Sequence, residues 1–180
     1  LVKGAYWDSE IKRAQENGLS HYPVFTHKSA TDISYLACSQ LILSRPDVFY
    51  PQFATHNAQT LSAVYQGGQQ HPGYEFQRLH GMGEPLYHEI IEAQNWQIPC
   101  RIYAPVGRYH ELLPYLVRRL LENGANTSFI NQIDRSDISV EDLIRDPIEL
   151  INKSTKKVQI VLPGSLYGEQ RLNSEGLNLA

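Results

Sequence analysis

Short strand-like runs alternate with helical patterns along most of this chain of 180 residues. The runs are Leu1–Tyr6, Tyr22–Thr26, Gln52–His56, Tyr74–His80 and Cys100–Val106. Parallel strands need a long crossover connection, usually a helix, so this alternation predicts βα units and a parallel sheet. The predicted class is therefore α/β, and both an open doubly wound sheet and a (β/α)8 barrel fit the rhythm.

Helix start and stop residues follow these runs. They predict a helix capped by Asp8 and ended by Gly18, Ile33–Ser44 capped by Thr31 or Asp32, Ala58–Gln66 capped by Asn57, a helix from Pro85 through Gln94, and a final helix from Tyr109 or His110 to Asn123 with Gly124 after it. Short polar side chains accept the free amide hydrogens of a first turn, proline fits that turn, and glycine ends a helix.

Polar and aromatic residues cluster where the predicted strands end. They are Lys3, Tyr6, Trp7, Thr26, His27, Lys28, Thr55, His56, Asn57, Gln77, His80 and Tyr103. No glycine-rich fingerprint follows the first run, which weakens a dinucleotide-binding open sheet. In a barrel the strand ends share one mouth, where active sites are built. Five units are too few for eight strands, and the chain opens at Leu1 inside a predicted strand, so we expect a fragment of a longer protein.

Composition excludes several classes of protein. Hydrophobic residues make up 42% and charged residues 19%, which excludes bulk disorder. A formal net charge of -3 argues against a nucleic-acid surface. Two cysteines, Cys38 and Cys100, argue against a disulfide scaffold or a cysteine-rich zinc site and favour a reducing compartment. His56 and His80 lack metal-ligand spacing, so no metal site is predicted.

The predicted final helix carries two distinct faces. Leucines and Val117 form a broad apolar stripe that we expect to pack on the barrel. Tyr115, Arg118, Arg119 and Glu122 share a second face by their spacing. Two adjacent guanidinium groups can hold a carboxylate or a phosphate. The alternative is a solvated face with a weak Glu122–arginine ion pair.

Other candidates also have two readings. Tyr6, Trp7, Tyr103 and Tyr115 can line a pocket for a planar ring, or be ordinary core and rim aromatics. His56 can donate to a phosphate or a carbonyl, or belong to a helix-capping cluster. Lys3 and Lys28 can pair with phosphates, or simply be exposed.

Six segments carry a resemblance that covers nearly the whole chain. They resemble, in the family's order, the proline dehydrogenase domain of the bifunctional proline utilization A flavoenzymes. The segments are Leu1–Trp7, Phe25–Lys28, Phe53–Asn57, Glu75–Gly83, Arg101–Gly107 and Tyr115–Phe129. The resemblance implies strands four to eight of a (β/α)8 barrel and the following helix, over residues 1–131. Residues 132–180 are similar to the arm or linker that leads toward an aldehyde dehydrogenase domain.

The resemblance implies oxidation of L-proline to Δ1-pyrroline-5-carboxylate by hydride transfer to FAD, the first step of proline catabolism to glutamate. It implies catalytic roles for Tyr6, Tyr103, Arg118 and Arg119, and substrate contacts from Leu79, Tyr103, Tyr115, Arg118 and Arg119. It implies FAD contacts from Val2, Lys3, Gly4, Ala5, Trp7, Thr26, Lys28, Thr55, His56, Asn57, Gln77 and Glu122. A quinone acceptor, a homo-oligomer, and a cytoplasmic enzyme peripheral to the inner membrane are also implied.

One departure and two alternatives accompany this expectation. His27 stands where the family usually has arginine. We expect the isolated chain to be inactive, because it lacks the family's first three strands. A half-barrel without activity that self-associates through its open sheet edges is one alternative. A different barrel enzyme that uses Arg118 and Arg119 for phosphate is the other.

Overall fold

The computed structural model describes residues 1–4, 6–124, 139–153 and 160–173, in two compact units. The first contains Leu1–Lys3 and Asp32–Asp146, and the second contains Gly4–Thr31 and Pro147–Ala180. The elements are α1 (Trp7–Glu16), α2 (Lys28–Leu43), β1 (Gln52–Ala54), α3 (Ala58–Gly67), β2 (Glu75–Leu79), α4 (Glu84–His88, continued by a π-helical turn over Glu89–Ala93), β3 (Cys100–Tyr103), α5 (Tyr109–Gly124), α6 (Val140–Leu143), α7 (Pro147–Lys153) and a 3₁₀ turn at Pro163–Ser165.

The first unit is built on a parallel sheet. Its strands pair in the order β1-β2-β3, with Phe53 opposite Phe76 and Phe76 opposite Cys100. Residues Leu1–Lys3 run parallel beside β1, since Val2 forms a bridge to Ala54 and the Leu1 carbonyl accepts from the Ala54 amide at 3.0 Å. Parallel pairing of four successive segments confirms the predicted α/β class.

The hydrophobic core lies on one face of this sheet. Phe53 and Phe76 are 0% and 2% exposed, and they pack against Leu61 and Val64 of α3 and Tyr87 of α4. Neighbouring strand side chains point to opposite faces. Glu75, Gln77 and Leu79 therefore lie on the face of β2 that turns away from this core.

The predicted strand at Tyr22–Thr26 does not form, and this expectation is wrong. A strand exists only through pairing, which local β propensity cannot supply. Here the Phe25 carbonyl accepts from the Trp7 indole N–H at 2.8 Å, and the Tyr22 hydroxyl donates to the Val161 carbonyl at 2.7 Å. The indole of Trp7 thus takes a backbone carbonyl that a neighbouring strand would have used.

Two predicted helix starts also differ from the structure. Tyr6, and not Asp8, stands at the N-cap of α1, and no side chain caps that helix. The second helix begins at Lys28, earlier than the predicted Ile33, because the His27 carbonyl already accepts from the Ala30 amide at 3.1 Å. A backbone carbonyl that starts the hydrogen-bond ladder leaves no sequence signature.

Other boundaries agree with the sequence. Asn57 caps α3, since its Oδ1 accepts from the Thr60 amide at 2.9 Å. Pro85 lies in the first turn of α4, and α5 spans Tyr109–Gly124 as predicted. Pro147 begins α7, a position that proline tolerates because it lacks an amide hydrogen. The predicted boundary between residues 131 and 132 lies outside the described residues.

None of the helices in the described ranges is both long and apolar enough to cross a bilayer.

We expect Phe53→Ala to lower the free energy of unfolding by about 3–5 kcal/mol, the usual cost of a large cavity in a packed core. Phe53 is 0% exposed, whereas Phe49 of the same unit is 46% exposed. Urea denaturation should therefore show a loss below about 1 kcal/mol for the matched variant Phe49→Ala. Equal losses in the two variants would contradict the position of the core.

Candidate functional site

The carboxyl ends of the parallel segments meet at one edge of the first unit, which we call the mouth. Lys3 lies at the end of the first segment, His56 two residues after β1, Leu79 at the end of β2 and Tyr103 at the end of β3. Parallel pairing brings these ends together, as the sequence predicted. Thr26 lies in the second unit, outside this sheet.

His56 is held at the mouth by a backbone contact. Its Nε2 accepts a hydrogen bond from the Leu79 amide at 3.2 Å. Burial, followed by the charges of Arg119 and then Arg78, lowers the pKa of His56 below its usual value of 6.5. The neutral imidazole must then carry its proton on Nδ1, because Nε2 is the acceptor. His56 thus offers one fixed N–H donor.

Gly83 makes room for this imidazole. It has φ 68° at the N-cap of α4, a left-handed conformation that glycine adopts without strain. A Cβ at this position would lie 2.9 Å from Cδ2 of His56. This turn after β2 therefore packs directly against a side chain of the mouth.

Thr55 and Asn57 build the turn that carries His56. The Thr55 hydroxyl accepts from the Asn57 amide at 3.1 Å, while the Asn57 side chain caps α3. The Tyr87 hydroxyl donates to the Thr55 carbonyl at 2.8 Å and lies 3.3 Å from the Gln77 carbonyl. The helix-capping reading of this cluster is confirmed for Asn57, and sequence reasoning did not identify Tyr87.

Lys3 turns its ammonium group toward the helices of the first unit. Its Nζ lies 2.5 Å from Asp32 Oδ1 and 2.9 Å from Thr60 Oγ1, and 5.3 Å from the centre of the Tyr35 ring. The Lys3–Asp32 ion pair is about three-quarters buried. The side chain therefore ties the first segment to α2 and α3, and neither sequence reading of Lys3 described this contact.

The two arginines of α5 are half-buried. The Nε atoms of both Arg118 and Arg119 are shielded from solvent. The Arg119 guanidinium lies 5.4 Å from the centre of the Tyr115 ring, and its charge acts on His56. Arg118 and Arg119 are therefore only partly solvated, and the charge of Arg119, after burial, lowers the pKa of His56 at the mouth. The side chain of Glu122 lies outside the described set.

The apolar stripe of α5 does not pack as predicted. Leu113, Leu116 and Val117 are each 42% exposed and Leu120 is 70% exposed. Amphipathic spacing identifies an apolar face, but it does not supply the surface that covers it. These four side chains therefore keep a large part of their surface exposed.

The remaining predicted positions fall elsewhere. Tyr6, Trp7, Thr26 and Lys28 belong to the second unit, where Tyr6 and Trp7 are 44% and 41% exposed. The Tyr6 carbonyl accepts from the Glu10 amide at 2.9 Å. Val2 is bridged to Ala54, Gly4 has open space around its Cα, and Ala5 lies outside the described residues.

Sequence reasoning missed a polar cluster on the sheet face opposite the core. Glu75 is 2% exposed and accepts from Arg101 of β3, with Nε at 2.6 Å and Nη2 at 2.9 Å. Alternation along β2 places Glu75 on the same face as Gln77. A charged residue inside an otherwise buried strand was the available signal.

Comparisons with known proteins identify the family of this chain. The family model for proline dehydrogenase matches residues 1–132. The chain belongs to the proline dehydrogenase family. It is 55% identical to the bifunctional protein PutA of Salmonella typhimurium over 194 aligned positions, which cover 100% of this chain and 15% of that protein. It is 28% identical over 139 positions to human mitochondrial proline dehydrogenase 1, covering 69% of this chain and 22% of that one.

Solved structures of this family share the fold. A crystal structure of a bifunctional proline utilization A protein superposes with a TM-score of 0.88 and 49% identity over 98% of this chain. The chain covers 18% of that protein. It therefore spans less than a fifth of these bifunctional relatives.

We expect Arg119→Met to raise the pKa of His56 toward 6.5, because one of the charges that disfavour imidazolium is removed. NMR titration of the histidine Cε1–H resonances measures this shift. In the wild type the unfolded chain protonates this site first as the pH falls below about 6.5, so acid should destabilise the folded state.

The matched control is Arg108→Met. Arg108 is exposed and is not among the charges that act on His56. An unchanged His56 titration in Arg119→Met, or an equal shift in both variants, would show that Arg119 does not face the mouth.

Proposed function

We propose that this chain forms part of an FAD-dependent proline dehydrogenase that oxidises L-proline to Δ1-pyrroline-5-carboxylate. The observation that carries the proposal is the half-buried Arg119, whose charge reaches His56 at the carboxyl edge of a parallel sheet. A guanidinium group shielded from water binds a carboxylate far more strongly than an exposed one does. Because the chain belongs to the proline dehydrogenase family, we propose that the bound carboxylate is that of proline.

The sheet is proposed as part of a (β/α)8 barrel. The order of Leu1–Lys3, β1, β2 and β3, with a helix after each of the last three, fits a barrel read from its carboxyl end. Because Tyr22–Thr26 forms no strand, these segments correspond best to the last four strands, and not to strands four to eight. Residues 1–131 would then complete the barrel, and residues 132–180 would lead toward an aldehyde dehydrogenase domain.

Substrate binding is assigned to α5 and the mouth. Arg118 and Arg119 would hold the proline carboxylate with paired N–H donors. Leu79, Tyr103 and Tyr115 would enclose the pyrrolidine ring and exclude water. The methylene groups of this ring require only such apolar walls, whereas the carboxylate requires the charges of the two arginines.

The residues at the mouth also fit a flavin. A bound FAD would supply the acceptor for the hydride that leaves Cδ of proline, while the ring nitrogen loses a proton, which gives the C=N bond of Δ1-pyrroline-5-carboxylate. The fixed Nδ1–H of His56 can donate to a carbonyl oxygen or to a ring nitrogen. The positive charge of Arg119 would attract a ring that is rich in electrons. Val2 and the turn residues Thr55 and Asn57 would contribute close backbone approach. Lys3 would act mainly through its backbone, because its ammonium is engaged with Asp32 and Thr60.

The remaining proposals concern the longer protein. A linked aldehyde dehydrogenase domain would consume the product, a quinone would reoxidise the flavin, and the enzyme would work as a homo-oligomer at the cytoplasmic side of the inner membrane. Their support is the likeness to bifunctional relatives, of which this chain covers 15%. Activity must accordingly be measured in a protein that contains this chain together with the rest of the barrel. By itself the chain should turn over little proline.

In that longer protein, Arg118→Ala or Arg119→Ala should each raise KM for proline about 30- to 150-fold. The reason is the loss of a charge-assisted contact worth about 2–3 kcal/mol where water is excluded. Arg→Lys should recover only part of this, because an ammonium group cannot make the paired planar contact. Steady-state kinetics with a dye acceptor measures the effect.

Two controls accompany this measurement. Tyr103→Phe should cost less, since only a hydroxyl group is lost, and Arg108→Ala should change nothing. A yellow protein with flavin absorbance supports the proposal. Colourless material that binds inorganic phosphate through Arg118 and Arg119 would instead favour a phosphate enzyme and overturn it.

A further inference from the structure

Glu75 joins three strands through one carboxylate. Besides the two bonds from Arg101, its Oε1 accepts from Gln52 Nε2 of β1 at 2.7 Å and from Gln77 Nε2 of β2 at 3.1 Å. The side chain is 3% exposed. Four N–H donors therefore converge on a single buried acid.

The carboxylate is ionised over the whole range in which the protein works. Hydrogen bonding to Arg101, opposed by burial and assisted by Gln77 and Gln52, lowers the pKa of Glu75 to about 2. An ionised carboxylate can only accept hydrogen bonds. Both glutamines must consequently turn their NH2 groups toward it, so the chemistry itself decides the orientation of amides whose oxygen and nitrogen atoms look alike.

This fixed amide orientation matters most for Gln77. One of its amide hydrogens is committed to Glu75, so the carbonyl Oε1 and the second N–H are turned away from the carboxylate. Gln77 lies one residue pair nearer the carboxyl end of β2 than Glu75 does. Among the described residues, the only side-chain hydrogen bond that Gln77 makes is this one.

We propose that Glu75 is a positioning residue, which fixes the Gln77 amide so that its carbonyl accepts the ring N–H of an isoalloxazine. The pyrimidine edge of that ring presents one N–H between two carbonyl oxygens, and a primary amide in this orientation complements the N–H and one of the carbonyls. With the opposite orientation, an amide N–H of Gln77 would face the ring N–H, and two donors cannot form a hydrogen bond. The inference rests on the proposed use of FAD and names a residue that itself touches neither cofactor nor substrate.

A double-mutant cycle tests the proposal in the longer protein. Apoprotein is titrated with FAD, and the dissociation constant is measured from flavin fluorescence for wild type, Glu75→Gln, Gln77→Leu and the double variant. Each single variant should weaken FAD binding about 10-fold, the value of one lost hydrogen bond of about 1.4 kcal/mol. The double variant should be no weaker than Gln77→Leu, because Glu75 acts only through Gln77.

Gln52→Leu is the matched control. Gln52 donates to the same carboxylate oxygen, but it lies at the first residue of β1, away from the mouth. Its removal should leave the FAD dissociation constant within about 2-fold of wild type, as expected for a residue with no ligand contact. If Glu75 merely ties the strands together, Gln52→Leu and Gln77→Leu will weaken FAD binding equally, which would overturn the inference.

The other outcomes are equally decisive. Multiplying losses in the double variant, about 100-fold in all, would show that Glu75 acts independently of Gln77 and would overturn the proposal. Wild-type FAD binding with an unchanged constant in Glu75→Gln would overturn the positioning role alone. No FAD binding by the wild type would overturn the proposed function as well. If Glu75→Gln does not fold, the comparison of Gln52→Leu with Gln77→Leu still decides.

Discussion

Parallel pairing of Leu1–Lys3, β1, β2 and β3 is the constraint on which the rest of the first unit depends. A parallel sheet sends every strand in the same direction, so all carboxyl ends emerge at one edge and all crossovers return over a face. Phe53 and Phe76 anchor the sheet to α3 and α4 through that face. The opposite face is thereby left to polar side chains.

Polar side chains on that opposite face are organised by charge. Glu75 collects Arg101 and two glutamine amides in the middle of the sheet, while burial and, after it, the charge of Arg119 hold His56 in its neutral form at the edge. A buried acid whose partners come from three strands orients each of those partners. The mouth therefore presents hydrogen-bond donors and acceptors in fixed orientations. The proposed binding of a flavin and of a carboxylate depends on these orientations.

Lys3 and the apolar face of α5 show that the same residue type can have different structural roles. Lys3 lies at a strand end, where a free ammonium would suit a phosphate, yet its contacts with Asp32 and Thr60 make it a brace between sheet and helices. Leu116, Val117 and Leu120 have the spacing of a core face and remain substantially exposed. Residue type and spacing describe what a side chain can do, and the neighbours select among the possibilities.

The amino-acid sequence by itself determined the α/β class, the helix cap at Asn57, the proline in the first turn of α4, the extent of α5 and the family. These depend on local chemistry, such as an amide that accepts from a first turn, and on motifs that run in order along the chain. Only the tertiary structure decided that Tyr22–Thr26 forms no strand, that His56 carries its proton on Nδ1, and that Glu75 pairs with Arg101. Each of these depends on partners distant in sequence: strand pairing, a backbone donor at Leu79, and an arginine on the neighbouring strand β3.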